Sequence, residues 1–227
     1  MRVKIAACMA TYIPVIWLSI IANELSFVVT IQQADGKLTL LRTFRSPDQI
    51  DLGFTIVEAC LATAAAPMIF EPLKKAYGDA IEYYIDGGLG NNNPVRHLLN
   101  EHRSTWSSRT VNVLISIGTG NKKPRPTGNS MLSLFKKVSE MAADASEQAT
   151  DFKRFLKLHD KELYARYFRF SVGSALQDVR LDEWRMLGII CQRTRSWLRK
   201  HDSSMLHCSK VLGCLTCKIH LHVLANF

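Results

Sequence analysis

Apolar residues change their spacing several times along this chain, and each change predicts a different element. Phe27-Val28-Val29-Thr30-Ile31 is a β-branched run, Leu38-Thr39-Leu40-Leu41-Arg42-Thr43-Phe44 is a second apolar run, and Ala34-Asp35-Gly36-Lys37 lies between them. Strand, turn, strand is the expected reading, with Asp-Gly as the turn. From Phe54 to Ala66 the spacing becomes helical, through Ile56, Val57, Cys60, Leu61 and Ala64, and Pro67 stops it. Alanines fill the second half of that run, so the helix can lie close against a sheet.

Ile81-Glu82-Tyr83-Tyr84-Ile85 predicts a short strand that ends on Asp86-Gly87-Gly88, and Asn93-Pro94 then predicts the cap and first position of a helix through Val95, Leu98 and Leu99. Val111-Asn112-Val113-Leu114-Ile115-Ser116-Ile117 is the strongest buried strand in the chain, running into Gly118-Thr119-Gly120 and a polar loop from Asn121 to Asn129. A helical pattern follows from Met131 to about His159, then a strand at Tyr167-Phe168-Arg169-Phe170. Asp182 to Lys200 forms a second amphipathic pattern with Trp184, Leu187, Ile190 and Trp197. Strands alternating with helices indicate an α/β layered fold with a largely parallel sheet. After Lys200 the spacing fits neither period, which marks a boundary.

Composition adds bounds. With 227 residues and 47% hydrophobic content, the chain can bury a substantial core and is not a disordered tail. Its net charge of +9 suits an anionic surface, phospholipid headgroups or nucleic acid, but acidic residues alternate with basic ones along most of the chain. No nucleic-acid motif appears, so nucleic acid is not expected as a partner. The six cysteines are unevenly placed and a chain of this size needs no disulfide framework, which favours reduced thiols in an intracellular protein. Residues 5–22 are uncharged behind Arg2 and Lys4, the pattern of a signal peptide or short membrane anchor. Pro14, Tyr12 and a weak cleavage context weigh against it, and a buried core segment or sequence foreign to the domain stands beside it as an alternative.

Three segments in order carry a family likeness: Ala62-Thr63-Ala64-Ala65-Ala66-Pro67-Met68-Ile69-Phe70-Glu71-Pro72, Ile85-Asp86-Gly87-Gly88-Leu89-Gly90-Asn91-Asn92-Asn93-Pro94 and Ile115-Ser116-Ile117-Gly118-Thr119-Gly120. Together they resemble successive signatures of the patatin-like phospholipases, and Tyr167-Phe168-Arg169-Phe170 followed by Leu181-Asp182-Glu183-Trp184 resembles the far end of that domain in its fungal members. The resemblance implies an α/β/α layered domain over residues 27–200, flanked by an unlike hydrophobic segment at 1–26 and an unlike Cys/His-bearing tail at 201–227. It further implies hydrolysis of a lipid acyl ester by a Ser-Asp dyad needing no cofactor or metal. Asp86 then takes the place of the general base, with Gly87 and Gly88 shaping the turn that presents it. A base must come within about 2.6–3.2 Å of the hydroxyl it activates, and glycines allow the sharp turn.

The likeness also implies what this sequence lacks. The family's glycine-rich oxyanion loop and its Gly-x-Ser-x-Gly elbow precede the region where the match begins, and nothing between Met1 and Ser26 replaces them. The domain reads as incomplete on its N-terminal side, and the chain is expected to be inactive: each missing oxyanion donor costs on the order of 10²–10³ in rate. Ser116, Ser130 and Ser174 are poor substitutes, since none lies on such an elbow. The alternative is a non-catalytic lipid-surface or protein-binding module on the same fold, using the surviving pocket and the basic loop at Lys122, Lys123 and Arg125, although that loop reads more readily as merely solvated. A lipid or membrane surface is the partner class under either reading, with peripheral membrane contact. Gly118-Thr119-Gly120 reads as a strand-end turn rather than a phosphate cradle. His207, Cys208, Cys214, Cys217, His220 and His222 match no strong zinc spacing, so no metal is expected.

Overall fold

A computed structural model of the chain describes residues 3–8, 27–46, 51–67, 70–89, 93–118, 132–176, 179 and 184–212. They fall into two compact units, one formed by residues 9–94 and 124–145, the other by 1–8, 95–123 and 146–227.

The first unit is built on a four-stranded antiparallel sheet. Its strands are β2 (Phe27–Gln32), β3 (Leu38–Arg42), β4 (Leu73–Tyr77) and β5 (Ala80–Asp86), in the order β3-β2-β5-β4. β2 and β3 pair from Phe27↔Arg42 to Ile31↔Leu38 around the Asp35-Gly36 turn, where Gly36 takes φ 67°, a region costly for other residues. β4 and β5 form a hairpin closed by Gly78-Asp79, with Tyr77 opposite Ala80. β4 escapes the hydrophobic pattern because Lys74 and Lys75 interrupt it; the Gly-Asp pair was its only local signal.

Helix α1 (Ile56–Ala64) lies on this sheet, packing against β2, β4 and β5. Thr55 caps it: its hydroxyl accepts from the Glu58 N–H at 3.2 Å while the Glu58 carboxylate accepts from the Thr55 N–H at 2.7 Å, a capping box. Ala59 and Ala62 are buried in a core with Leu41 and Tyr84, which Leu52, Phe54, Leu73 and Tyr77 extend. The small alanine side chains let the helix backbone approach the strands. Phe54 meets the Tyr84 ring edge-on at 5.0 Å, an arrangement aromatic quadrupoles favour. The opposite face of α1 is also apolar, and Ile56, Val57 and Leu61 are exposed there.

The second unit holds a three-stranded parallel sheet in the order β1-β6-β7, from β1 (Val3–Cys8), β6 (Val111–Gly118) and β7 (Tyr167–Ser171). On one face Leu114 and Tyr167 pack with Val95 and Leu99 of α2 (Val95–Thr105), with Phe152 and Leu156 of α3 (Leu132–His159), and with Leu163 of the short α4 (Lys161–Tyr164). On the other, Val113 and Phe170 pack with Trp197 of α5 (Leu187–Lys200) and with Met205, Cys208 and Val211 of α6 (Asp202–Leu212). Helices on both faces make this unit an α/β/α sandwich. They also explain the continuous apolar run of β6, since a strand covered on both sides needs no polar alternation.

The α/β class holds, but the sheet is parallel only in part. Short turns return β2 directly into β3 and β4 directly into β5, and β2 also pairs antiparallel with β5, whereas β6 and β7 are joined through helices long enough to cross over. The residues after Lys200 were expected to fit no period, yet 202–212 form α6 with Cys208 fully buried. The helix meets its core through scattered Met205, Cys208 and Val211, a pattern diluted by Ser203, Ser204 and Ser209. Among the described residues no helix is long and apolar enough to cross a membrane. Of the uncharged stretch at 5–22, only the backbone up to Cys8 falls within the described residues, as β1 paired to β6; the remainder lies outside them.

Candidate functional site

Asp86 is the last residue of β5, and the structure places it where three backbone segments meet. Its strand neighbour across the sheet is Thr30 of β2. Its own N–H donates to the Ala65 carbonyl at 3.0 Å, tying the strand end to the C-terminal end of α1. Gly87–Leu89 then turn in a single 3₁₀ turn, and the Gly88 N–H donates to Asp86 Oδ1 at 2.8 Å. That bond fixes the carboxylate by a local loop only two residues long. Gly87 is buried in the turn.

The electrostatics follow from this placement. Asp86 is 8% exposed, and burial pushes its carboxyl above its ordinary value because the ionised form loses hydration; the single Gly88 N–H opposes that shift. A carboxyl so placed is a stronger base than an exposed aspartate when ionised. Among the described residues Gly88 supplies the one hydrogen bond to its side chain.

Thr30 supports the strand end from beneath. It is fully buried, and its hydroxyl donates to the Ile85 carbonyl at 2.7 Å and lies 3.4 Å from the Ala62 carbonyl. Sequence reasoning missed Thr30 and Ala65 as partners of this site. A threonine in a β-branched run carries no sign of its role until register places it opposite Asp86, and the Ala65 contribution is a carbonyl that any residue provides.

The remaining candidates scatter. Ser116 is fully buried in β6, where its Oγ accepts from Arg169 Nη1 at 2.7 Å. Ser174 is exposed in a 3₁₀ turn after Gly173, which takes φ 63°. Both belong to the unit that does not contain Asp86. Gly118 ends β6, while Thr119, Gly120, Ser130 and the basic loop at Lys122, Lys123 and Arg125 lie outside the described residues, as do Gly90, Asn91 and Asn92. In the tail, Cys208 is a core residue and His207 is exposed with its ring 5.5 Å from Phe168; Cys214, Cys217, His220 and His222 lie outside the described residues. Among the described residues no three His, Cys, Asp or Glu side chains gather as metal ligands would.

The geometry is a buried aspartate presented on a diglycine turn at a strand end, and residues 21–99 match the family model of the patatin-like phospholipases. This part of the chain is patatin-like. The patatin-like match begins before β2, takes in both hairpins, α1 and the Asp86-Gly87-Gly88 turn, and ends within α2. It thus covers every element that positions Asp86, and the family's substrates are lipids. No curated protein matches the chain.

Proposed function

We propose that this chain carries the base side of a patatin-like lipid acyl hydrolase site. Asp86 is its general base, and Gly87 and Gly88 are the turn that presents it. In the reaction such a site serves, a serine hydroxyl gives its proton to the aspartate as its oxygen attacks the ester carbonyl of a glycerolipid or phospholipid. The alcohol leaves, and water then releases the fatty acid from the acyl-enzyme. The observation that carries this reading is the burial of Asp86 on its diglycine turn inside the segment that matches the family, with its carboxyl above its ordinary value. No Gly-x-Ser-x-Gly occurs in the 227 residues, and neither Ser116 nor Ser174 sits on a strand-to-helix elbow. As this chain, the protein is inactive toward acyl esters.

The purified chain and an Asp86→Asn variant are to be assayed side by side with a chromogenic short-chain ester, phospholipid vesicles and a fluorophosphonate probe that labels activated serines. The expected result is no turnover above the buffer rate and no labelling in either protein. Turnover or labelling that Asp86→Asn abolishes would overturn the inactive reading while keeping Asp86 as base. Turnover that ignores the substitution would overturn both.

A further inference from the structure

His102 is a buried histidine that the lipid hydrolase reading does not use. It follows Val95 and Leu99 by seven and three residues on α2, which places it on the helix face that packs into the core with β6, α3, α4 and β7. The residue is 4% exposed, and among the described residues neither Nδ1 nor Nε2 has a hydrogen-bond partner. One turn on, Thr105 Oγ1 is likewise sealed from solvent and unpartnered. A neutral imidazole already forgoes the hydration of one donor and one acceptor in such a place. An imidazolium would bring two donors and a full charge into it.

The surrounding charges do not offset that cost. On α2 itself Arg103 follows directly, and Glu101 lies one turn after His97, the ring on which it acts. Arg109, in the segment leading into β6, is a second cation whose field reaches His102. Between α3 and α4, Asp160 is committed to Arg103 at 3.1 Å and to the Leu163 N–H at 2.9 Å, and Glu162 of α4 pairs with Arg166 at 3.3 Å. The end of α3 adds Lys157 and His159, both exposed. β6 carries no titratable side chain. β7 offers Tyr167, whose phenol burial keeps protonated, and Arg169, bonded to Ser116. β1, on which α2 also packs, holds only Lys4 and Cys8 in its sequence. Burial first, and Arg103 and Arg109 after it, therefore push the His102 imidazole below its ordinary value.

We propose that His102 is an acid-sensitive latch on α2: uncharged, it lets the last turn of the helix close on the core, and on taking up a proton it releases that turn. The release is local because His102 stands three residues before the end of α2. Beyond it the Trp106 N–H donates to the His102 carbonyl at 2.8 Å and the Arg109 N–H to the Trp106 carbonyl at 2.8 Å. Opening such a helix end costs less than opening the sheet it lies on. With a folded value below 6.5, the stabilisation is complete above 6.5 and is lost as pH falls from there toward the folded value. Opening then grows by up to about ten-fold per pH unit. The proposal is independent of the hydrolase reading, because its readout is backbone protection and its residues belong to the unit without Asp86.

The test is amide hydrogen exchange of the full chain between about pH 7.5 and about pH 5.5, corrected for the intrinsic chemical rate, together with a proton NMR titration of the His102 ring. In the parent, the amides of residues 103–106 should lose protection about five- to ten-fold over that range while those of β6 change by less than about two-fold. The His102 ring should titrate below 6.5. His102→Leu removes both unpartnered nitrogens at nearly constant volume, and His102→Gln removes only the titration. In either variant, protection of 103–106 should no longer depend on pH. Circular dichroism establishes that each is folded, and should His102→Leu fail to fold, His102→Gln decides. His97→Gln removes the other histidine of α2 and should retain the acid loss. A His102 ring that titrates at or above 6.5 would overturn the proposal, as would acid loss that persists in folded His102→Gln or vanishes in His97→Gln. Equal loss across β6 would replace the latch by global unfolding and overturn it as well.

Discussion

Replacing Glu58 tests whether the start of α1 is held as strongly as its contacts indicate. The Glu58 carboxylate accepts from the Thr55 N–H at 2.7 Å and the Thr55 hydroxyl at 2.9 Å, and Lys75 Nζ lies 2.9 Å from both of its oxygens. Lys75 is itself fixed, donating to the Gly53 carbonyl at 2.9 Å and sitting 4.9 Å from the Phe54 ring centre. The Lys75 ammonium first, then the two Thr55 donors, hold the carboxyl at about 2 against an ordinary 4.5. By linkage that difference corresponds to roughly 3.4 kcal/mol, an upper bound. With 29% of the Glu58 side chain exposed, water screens the pair, and about 1–1.5 kcal/mol is expected at neutral pH. Glu58→Gln keeps an acceptor for the Thr55 N–H and removes the charge, so it should cost about 1 kcal/mol; Glu58→Ala also loses the capping box and should cost about 2 kcal/mol. The sign with pH follows from a lowered folded value: the stabilisation is complete above 4.5 and disappears as pH falls through about 2. Urea unfolding followed by circular dichroism, at neutral pH and near the folded value, reads both effects. A gap between parent and Glu58→Gln that stays constant on acidification would refute the ionic assignment, and equal stability of the Gln and Ala variants would refute the cap.

Two further outcomes are expected. Burial raises the Asp86 carboxyl above 3.8, so its contribution to stability is complete below that value and is lost as pH rises through the folded one; the ionised group costs stability at neutral pH. Asp86→Asn, which keeps an oxygen for the Gly88 N–H, should therefore melt later at neutral pH by up to about 1 kcal/mol and lose that advantage below 3.8; an equal gain at both pH values would contradict it. At Gly118 an added Cβ would stand 2.8 Å from Arg169 Cζ and 3.1 Å from Ser171 Oγ. Gly118→Ala should thus displace the guanidinium from Ser116 and cost about 1–3 kcal/mol. In an Arg169→Ala background the same change should cost much less, and purely additive costs in a double-mutant cycle would rule out the clash.

The local chemistry of several segments could be read directly. Asp35-Gly36 closes the β2–β3 hairpin, β6 is the continuous apolar strand its residues announce, and α1 runs within the Phe54 to Ala66 stretch that Pro67 stops. The α5 pattern began five residues too early, because Trp184 fits the helical spacing while Trp184–Met186 form a separate 3₁₀ turn. β4 went unread because the adjacent Lys74 and Lys75 break the alternation between its only two strongly apolar residues, Leu73 and Tyr77. For the candidate site, Asp86 and its glycines stood out as a motif, but Thr30 and the Ala65 carbonyl did not, since neither is adjacent in sequence to what it supports.

By itself the sequence determined where the Asp35-Gly36 turn falls, which strand would be covered on both faces, and that an aspartate would close a strand on two glycines. These depend on φ preferences, hydrogen-bonding side chains and apolar periodicity within a few residues. Only the tertiary structure decided that β5 runs antiparallel beside β2 while β6 runs parallel between β1 and β7. It also buried Asp86 and turned Arg193 of α5 inward to the Ala175 carbonyl. Strand partners, register and burial are set by contacts between residues far apart in the chain, and the same local pattern serves more than one such arrangement until packing selects it.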